Sequence, residues 1–104
     1  MILPDVNVLV YAHREDAPAH LAYRQWLESL IDSDQAYGMA DLVLSGFLRV
    51  VTHPRVFSRP SGLDQALAFV TDVRNQPNCV PVRPGPRHWS IFVRLSKAVD
   101  AKGN

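Results

Sequence analysis

Asp5 and Asn7 stand two residues apart between two apolar runs, in Met1-Ile-Leu-Pro-Asp5-Val-Asn7-Val-Leu-Val-Tyr-Ala12. A carboxylate carried into apolar surroundings is costly unless something pairs with it. At the end of a strand in an α/β protein it points to the crevice where ligands bind. Its oxygens suit Mg²⁺ or Mn²⁺, hard cations that prefer oxygen ligands. Such an ion activates water and stabilises the charge of a phosphodiester under attack. Asn7 then orients Asp5 or touches substrate. The plainer reading is that Asp5 caps a following helix and Asn7 helps the turn.

No other residue matches that signal. His13 and His20 are seven apart with no third partner, a poor metal spacing. His53 precedes Pro54, and His88 adjoins Trp89 at a helix start, where capping or packing is the expected role. Nine of the basic residues are Arg, which suits bidentate phosphate contact. A GC-rich coding sequence gives the same bias. Arg55, Arg59, Arg83 and Arg87 flank turns, and Arg49 is the one placed to face an active cleft. A formal net charge of +1 neither requires nor excludes a nucleic-acid partner, since a local patch decides that. Cys79 is the only cysteine, so neither an intrachain disulfide nor a Cys-based zinc site can form, which fits a reducing, cytoplasmic setting. No run reaches membrane-spanning length, and no signal peptide is recognisable.

The elements that must position Asp5 follow from periodicity. At 104 residues the chain is one domain, residues 1–104. Ile2 to Asp5 reads as a short strand, with Pro4 awkward in a central position because it donates no hydrogen bond. A short helix begins at Val8, and His13 to Asp16 reads as a solvated turn. A second helix runs from Ala19 to Ile31 with Tyr23, Leu27, Leu30 and Ile31 on one face. Gln35 to Met39 is a second strand, and Asp41 is placed to cap a third, central helix that Thr52-His-Pro54 stops. Ser61 is expected to cap a fourth helix with the stripe Leu63, Ala66, Leu67, Val70 and Val73. Cys79 to Val82 is a third strand. After the turn Pro84-Gly-Pro86, a fifth helix carries Trp89, Phe92, Val93, Leu95 and Val99. The order β-α-α-β-α-α-β-α indicates an α/β fold, a short parallel sheet flanked by helices. Three short strands are few for five helices, and the expectation is a fold left incomplete at its C-terminus.

Competing Asp-first families fit poorly. A haloacid-dehalogenase-like phosphatase needs a second Asp where Asn7 stands, and a receiver domain needs its Asp in mid-chain. The Asp5-Val-Asn-Val-Leu-Val-Tyr-Ala12 opening instead resembles the start of PIN-domain proteins, particularly VapC-type toxins. Leu44-Ser-Gly-Phe-Leu-Arg-Val-Val-Thr-His-Pro-Arg-Val-Phe57 resembles the second signature of one VapC subgroup. Pro84-Gly-Pro-Arg-His-Trp89 and Val99-Asp-Ala-Lys-Gly-Asn104 resemble its later segments, so the likeness covers the whole chain.

The resemblance implies a Rossmann-like PIN domain and a Mg²⁺- or Mn²⁺-dependent endoribonuclease toxin acting on RNA. It also implies a homodimer and a neutralising VapB-like antitoxin. Asp5 matches the first acid of the family's metal cluster, and Asn7 matches its usual polar neighbour. Two departures stand out. Many members carry Glu where this chain has Gly46, and the next acid lies in an Asp-Ala helix start soon after a Gly-Asn like Gly103-Asn104, where this chain ends. Asp41, about one and a half turns before Gly46, and Asp100 are the candidates to assist, with capping and helix-end roles preferred for them. The expected site is Asp5 as catalytic and metal residue, with Asn7 and Arg49 touching substrate. The alternative is a truncated, inactive relative that serves as an antitoxin- or self-binding module on its early helices. A Rossmann-like nucleotide binder lacks the glycine-rich phosphate loop it needs.

Overall fold

A computed structural model describes residues 1–83 and Arg94. The turn at Pro84, the fifth helix and Asp100 lie outside the described residues. The described residues form four helices and two strands: α1 (Val6–His13), α2 (His20–Asp32), β1 (Tyr37–Ala40), α3 (Asp41–Val51), α4 (Leu63–Arg74) and β2 (Cys79–Val82).

β1 pairs with β2 in parallel, Tyr37 against Cys79 and Ala40 against Val82. On the other flank of β1 the expected first strand shrinks to a single parallel bridge, Ile2 to Tyr37. The bond is Gly38 N–H to the Ile2 carbonyl, 2.8 Å. The physical reason lies in the next three residues. Pro4 has no N–H for a ladder, and Asp5 already turns the chain into α1.

Parallel registration puts Ile2, Tyr37 and Cys79 on one face and Leu3, Gly38 and Val80 on the other. The first face meets the helices. Leu9, Val10, Leu27, Leu30, Leu44, Phe47, Val51, Ala66, Val70 and Val73 form one buried cluster with Tyr37 and Met39. The opposite face is sparsely covered among the described residues, with Leu3 61% and Val80 41% exposed. A Cβ at Gly38 would run into the Leu3 side chain and lie 2.7 Å from Val82 Cγ2, so any larger residue there must displace these neighbours.

Inside the core, the Tyr37 phenol donates to the Val73 carbonyl at 2.6 Å, tying β1 to α4. Burial pushes its pKa up to about 12, with the neighbouring Cys79 adding to the rise. Burial raises the Cys79 thiol as well. The amino end of the sheet is held by Asn78. Its Nδ2 faces the carbonyls of Leu30 at 3.0 Å, Ser33 at 3.1 Å and Gln35 at 2.9 Å. One amide has two N–H donors, so these three acceptors share them. Asn78→Ala is expected to lower stability by about 1–2 kcal/mol. Asn78→Asp should cost more at neutral pH, because a carboxylate would face three carbonyls. Urea midpoints of the two variants at pH 7 and in acid check this, the gap closing as the new carboxyl protonates.

Several expected caps are corrected. Asp41 is the first residue of α3, not its cap; Ala40 holds that place without a side-chain bond. Gly62, not Ser61, caps α4, because the Ser61 hydroxyl is engaged by α1. Leu63 and Leu67 of the α4 stripe are exposed, leaving Ala66, Val70 and Val73 inside. His13 is not in a solvated turn. It is the last residue of α1, half-buried between the rings of Phe47 and Phe69.

Candidate metal and RNA site

The carboxyl ends of the Ile2 segment and β1 both run directly into helices. Asp5 is the N-cap of α1 in extended conformation, and its Oδ1 accepts the Val8 N–H at 3.0 Å. That bond fixes the carboxylate and satisfies one of the helix's unpaired N–H donors. Oδ2 makes no hydrogen bond among the described residues, and Asp5 is exposed. The capping reading of Asp5 is thus correct as local structure, and it leaves the second oxygen available.

Asn7 follows on the first turn of α1, exposed and with no side-chain hydrogen bond among the described residues. Asp41 lies at the same edge of the sheet, at the start of α3. Its carboxylate is almost fully exposed and stands 3.9 Å from Arg74 Nε at the end of α4. A surface pair of that length contributes little to stability. Among the described residues no three His, Cys, Asp or Glu side chains converge on a common point.

Gly46 sits where α3 passes α1 beside Asp5. A Cβ added there would lie 3.1 Å from Val6 Cγ2. Val6 is β-branched and holds one strongly preferred rotamer in a helix, so it gives way poorly. Arg49 follows one turn on, on the same face of α3, exposed and unpaired among the described residues.

The close passage makes a prediction. Helix propensity favours Gly46→Ala by about 1 kcal/mol, while overpacking costs about 1–3 kcal/mol. The expected net effect is a loss on the order of 1 kcal/mol. Adding Val6→Ala should restore most of it, and a double-mutant cycle in urea reads the coupling directly. Gly46→Ala proving more stable than the parent would show that α1 and α3 part easily.

A parallel sheet whose strand ends run directly into helices, with Asp5 capping the first of them, is an α/β arrangement of the Rossmann-like kind. The PIN-domain family matches residues 2–103. The chain is 47% identical over all 104 residues to "VapC ribonuclease Mb2897" of Mycobacterium bovis, covering 71% of that protein. It is equally similar to "Ribonuclease VapC43" of Mycobacterium tuberculosis, again over 71% of its length. "Ribonuclease VapC25" of Mycobacterium tuberculosis is 42% identical, with 73% covered. The chain belongs to the PIN-domain family, in its VapC-type branch, and these relatives are longer than it is.

Two groups escaped the sequence reading. Asn78 carries no signal that marks it as a clip, since its partners are backbone carbonyls more than 40 residues away. The His13, Arg14 and Ser61 constellation was hidden by its charged neighbours.

Proposed function

We propose that this chain is a metal-dependent endoribonuclease toxin of a VapBC-type pair, with Asp5 as its metal ligand. One observation carries the reading: an exposed carboxylate, oriented by a backbone N–H, at the carboxyl edge of a parallel sheet. The names of the relatives give it its direction, since each is a VapC ribonuclease.

The donor chemistry fits Mg²⁺ or Mn²⁺. Mg²⁺ keeps several waters and is often held by only one or two carboxylates together with substrate phosphates. Asp5 supplies one hard oxygen through Oδ2, and Asp41, at the start of α3, is the candidate second acid. When bound, the ion supplies Lewis-acid charge and an acidified water. The Val8 N–H holds the Asp5 carboxylate in one orientation. The Asn7 amide, on the first turn, reaches the substrate's sugar or phosphate oxygens. Arg49 brings a guanidinium suited to a phosphate.

The partner surface lies elsewhere. Val8, Ala22, Tyr23 and Trp26 line an apolar groove between α1 and α2. Trp26 is 43% exposed there. We assign this groove to a protein partner, a VapB-like antitoxin or a second copy of the chain. No helix among the described residues is long and apolar enough to cross a membrane, and we place the protein in the cytoplasm. The groove also favours the second reading, an inactive relative that only binds its partner. Mn²⁺-dependent cleavage of structured RNA by the purified chain, beside an Asp5 variant, separates the two. Cleavage lost with the Asp5 carboxylate supports the nuclease. No cleavage by the parent chain supports the binding module.

A further inference from the structure

The far end of α1 carries a second polar constellation, about 12 Å along the helix from Asp5. His13 Nε2 lies 3.0 Å from Ser61 Oγ. Arg14 Nη1 donates to the same oxygen at 3.1 Å. Arg14 also forks onto Asp16 at 2.6 and 2.9 Å. Its guanidinium stands 4.1 Å above the centre of the Phe57 ring. Phe57 and Ser61 belong to the loop 52–62 between α3 and α4. Among the described residues, these contacts are the side-chain ties between that loop and α1.

We propose that His13 and Ser61 form a proton-sensitive latch that fastens the loop 52–62 to the end of α1. Donor count and charge together give the reason. Arg14 can only donate, so it takes one lone pair of Ser61 Oγ. Ser61 Oγ keeps a second lone pair and its own hydrogen, so it meets a neutral His13 ring in either tautomer, accepting from Nε2–H or donating to a bare Nε2. A fully protonated ring leaves only the first arrangement and adds a positive charge beside Arg14. It sets two cations on one hydroxyl oxygen, in a site walled by Phe47 and Phe69.

The charges around His13 do not offset this. On its own helix end stand Arg14, Glu15 and Asp16, with Asp16 already committed to Arg14. α2 presents His20, Arg24 and Glu28, α4 presents Asp72, and the loop presents Arg59. α3 contributes only the Phe47 ring. Burial lowers the His13 pKa below its ordinary value of 6.5, and Arg14 and then His20 lower it further.

The sign follows from linkage. The released ring titrates near its ordinary value, and the latched ring titrates lower. The latch therefore holds fully above pH 6.5 and is lost as pH falls from there toward the lowered value. Each unit between the two values weakens closure about tenfold. Arg55 and Arg59 ride on the loop, both exposed, so the latch also governs where two cations stand.

The Ser61 amide is the reporter, because it donates to the Val51 carbonyl at 2.8 Å when the loop is closed. Hydrogen exchange at 52–62, corrected for the intrinsic pH effect, is compared at pH 7.5 and 5.5. The parent chain should lose protection by up to about tenfold, the limit set by the one unit between 6.5 and pH 5.5. His13→Phe keeps an aromatic ring in the aromatic site and should show no pH step. Ser61→Ala should be less protected at pH 7.5 and show a smaller step. A parent chain with equal protection at both pH values overturns the latch. So does a step of unchanged size in His13→Phe.

Discussion

Asp5→Asn should abolish metal-dependent RNA cleavage and leave the fold almost untouched. The two effects separate because the proposed metal role uses Oδ2, while the observed cap uses Oδ1. Oδ1 caps α1 through the Val8 N–H, and Asn caps about as well as Asp, so stability should stay within about 0.5 kcal/mol. The negative charge that an ion needs is gone. Losing an outer-sphere partner of a metal costs roughly 10–100-fold, and losing the ligand itself should cost more. Asp5→Ala should lose cleavage too and about 1 kcal/mol of stability besides. Cleavage rates with Mn²⁺, set beside urea midpoints, decide the matter. An Asp5→Asn chain that cleaves like the parent would reduce Asp5 to a helix cap.

Phe47→Ala should be the most destabilising single change in the core. Phe47 is fully buried and lies at the centre of an aromatic trio. Its ring stacks on Phe69 at 5.0 Å between centroids and meets His13 nearly edge-on at 5.3 Å. Truncating such a ring costs about 3–5 kcal/mol, and each aromatic pairing adds about 0.5–1.5 kcal/mol. A domain of this size has about 5–15 kcal/mol in all. Phe47→Ala should therefore be largely unfolded at 37 °C, as circular dichroism would show. Phe47→Leu should keep the fold with a lower midpoint. The change would also free His13, so the trio links the core to the latch.

Most helices were readable from periodicity because their apolar stripes match the face they bury. Leu27 and Leu30 of α2 and Phe47 and Val51 of α3 are examples. The strand at Cys79 was readable from its bounds. Caps were less so. Asp41 and Ser61 have the right chemistry for capping, but the chain enters α3 one residue earlier, and α1 draws the Ser61 hydroxyl away. His13 looked solvated beside Arg14, Glu15 and Asp16, yet its burial comes from rings 34 and 56 residues distant. Leu63 and Leu67 fit the α4 stripe but lie exposed, since a stripe does not fix how deep its helix sits. At the site, the cap at Asp5 was legible, but the strand before it shrinks to one bridge and α1 starts at Val6, two residues earlier than expected. Gly46 was legible as a missing side chain, but not the close approach of Val6 to it.

The uneven sheet has a topological consequence. From the Ile2 segment to β1, and from β1 to β2, the chain steps twice in one direction, and both helical crossovers lie on the Tyr37 face. Parallel crossovers are right-handed almost without exception. A third step past β2 would lay its helix on that same covered face. Only a step in the reverse sense, to the flank of the Ile2 segment that is unpaired among the described residues, winds a right-handed crossover over Leu3 and Val80. The winding would then change direction beside the Ile2 segment. The gap opened by such a reversal, at the carboxyl ends of the strands, is where Asp5 stands.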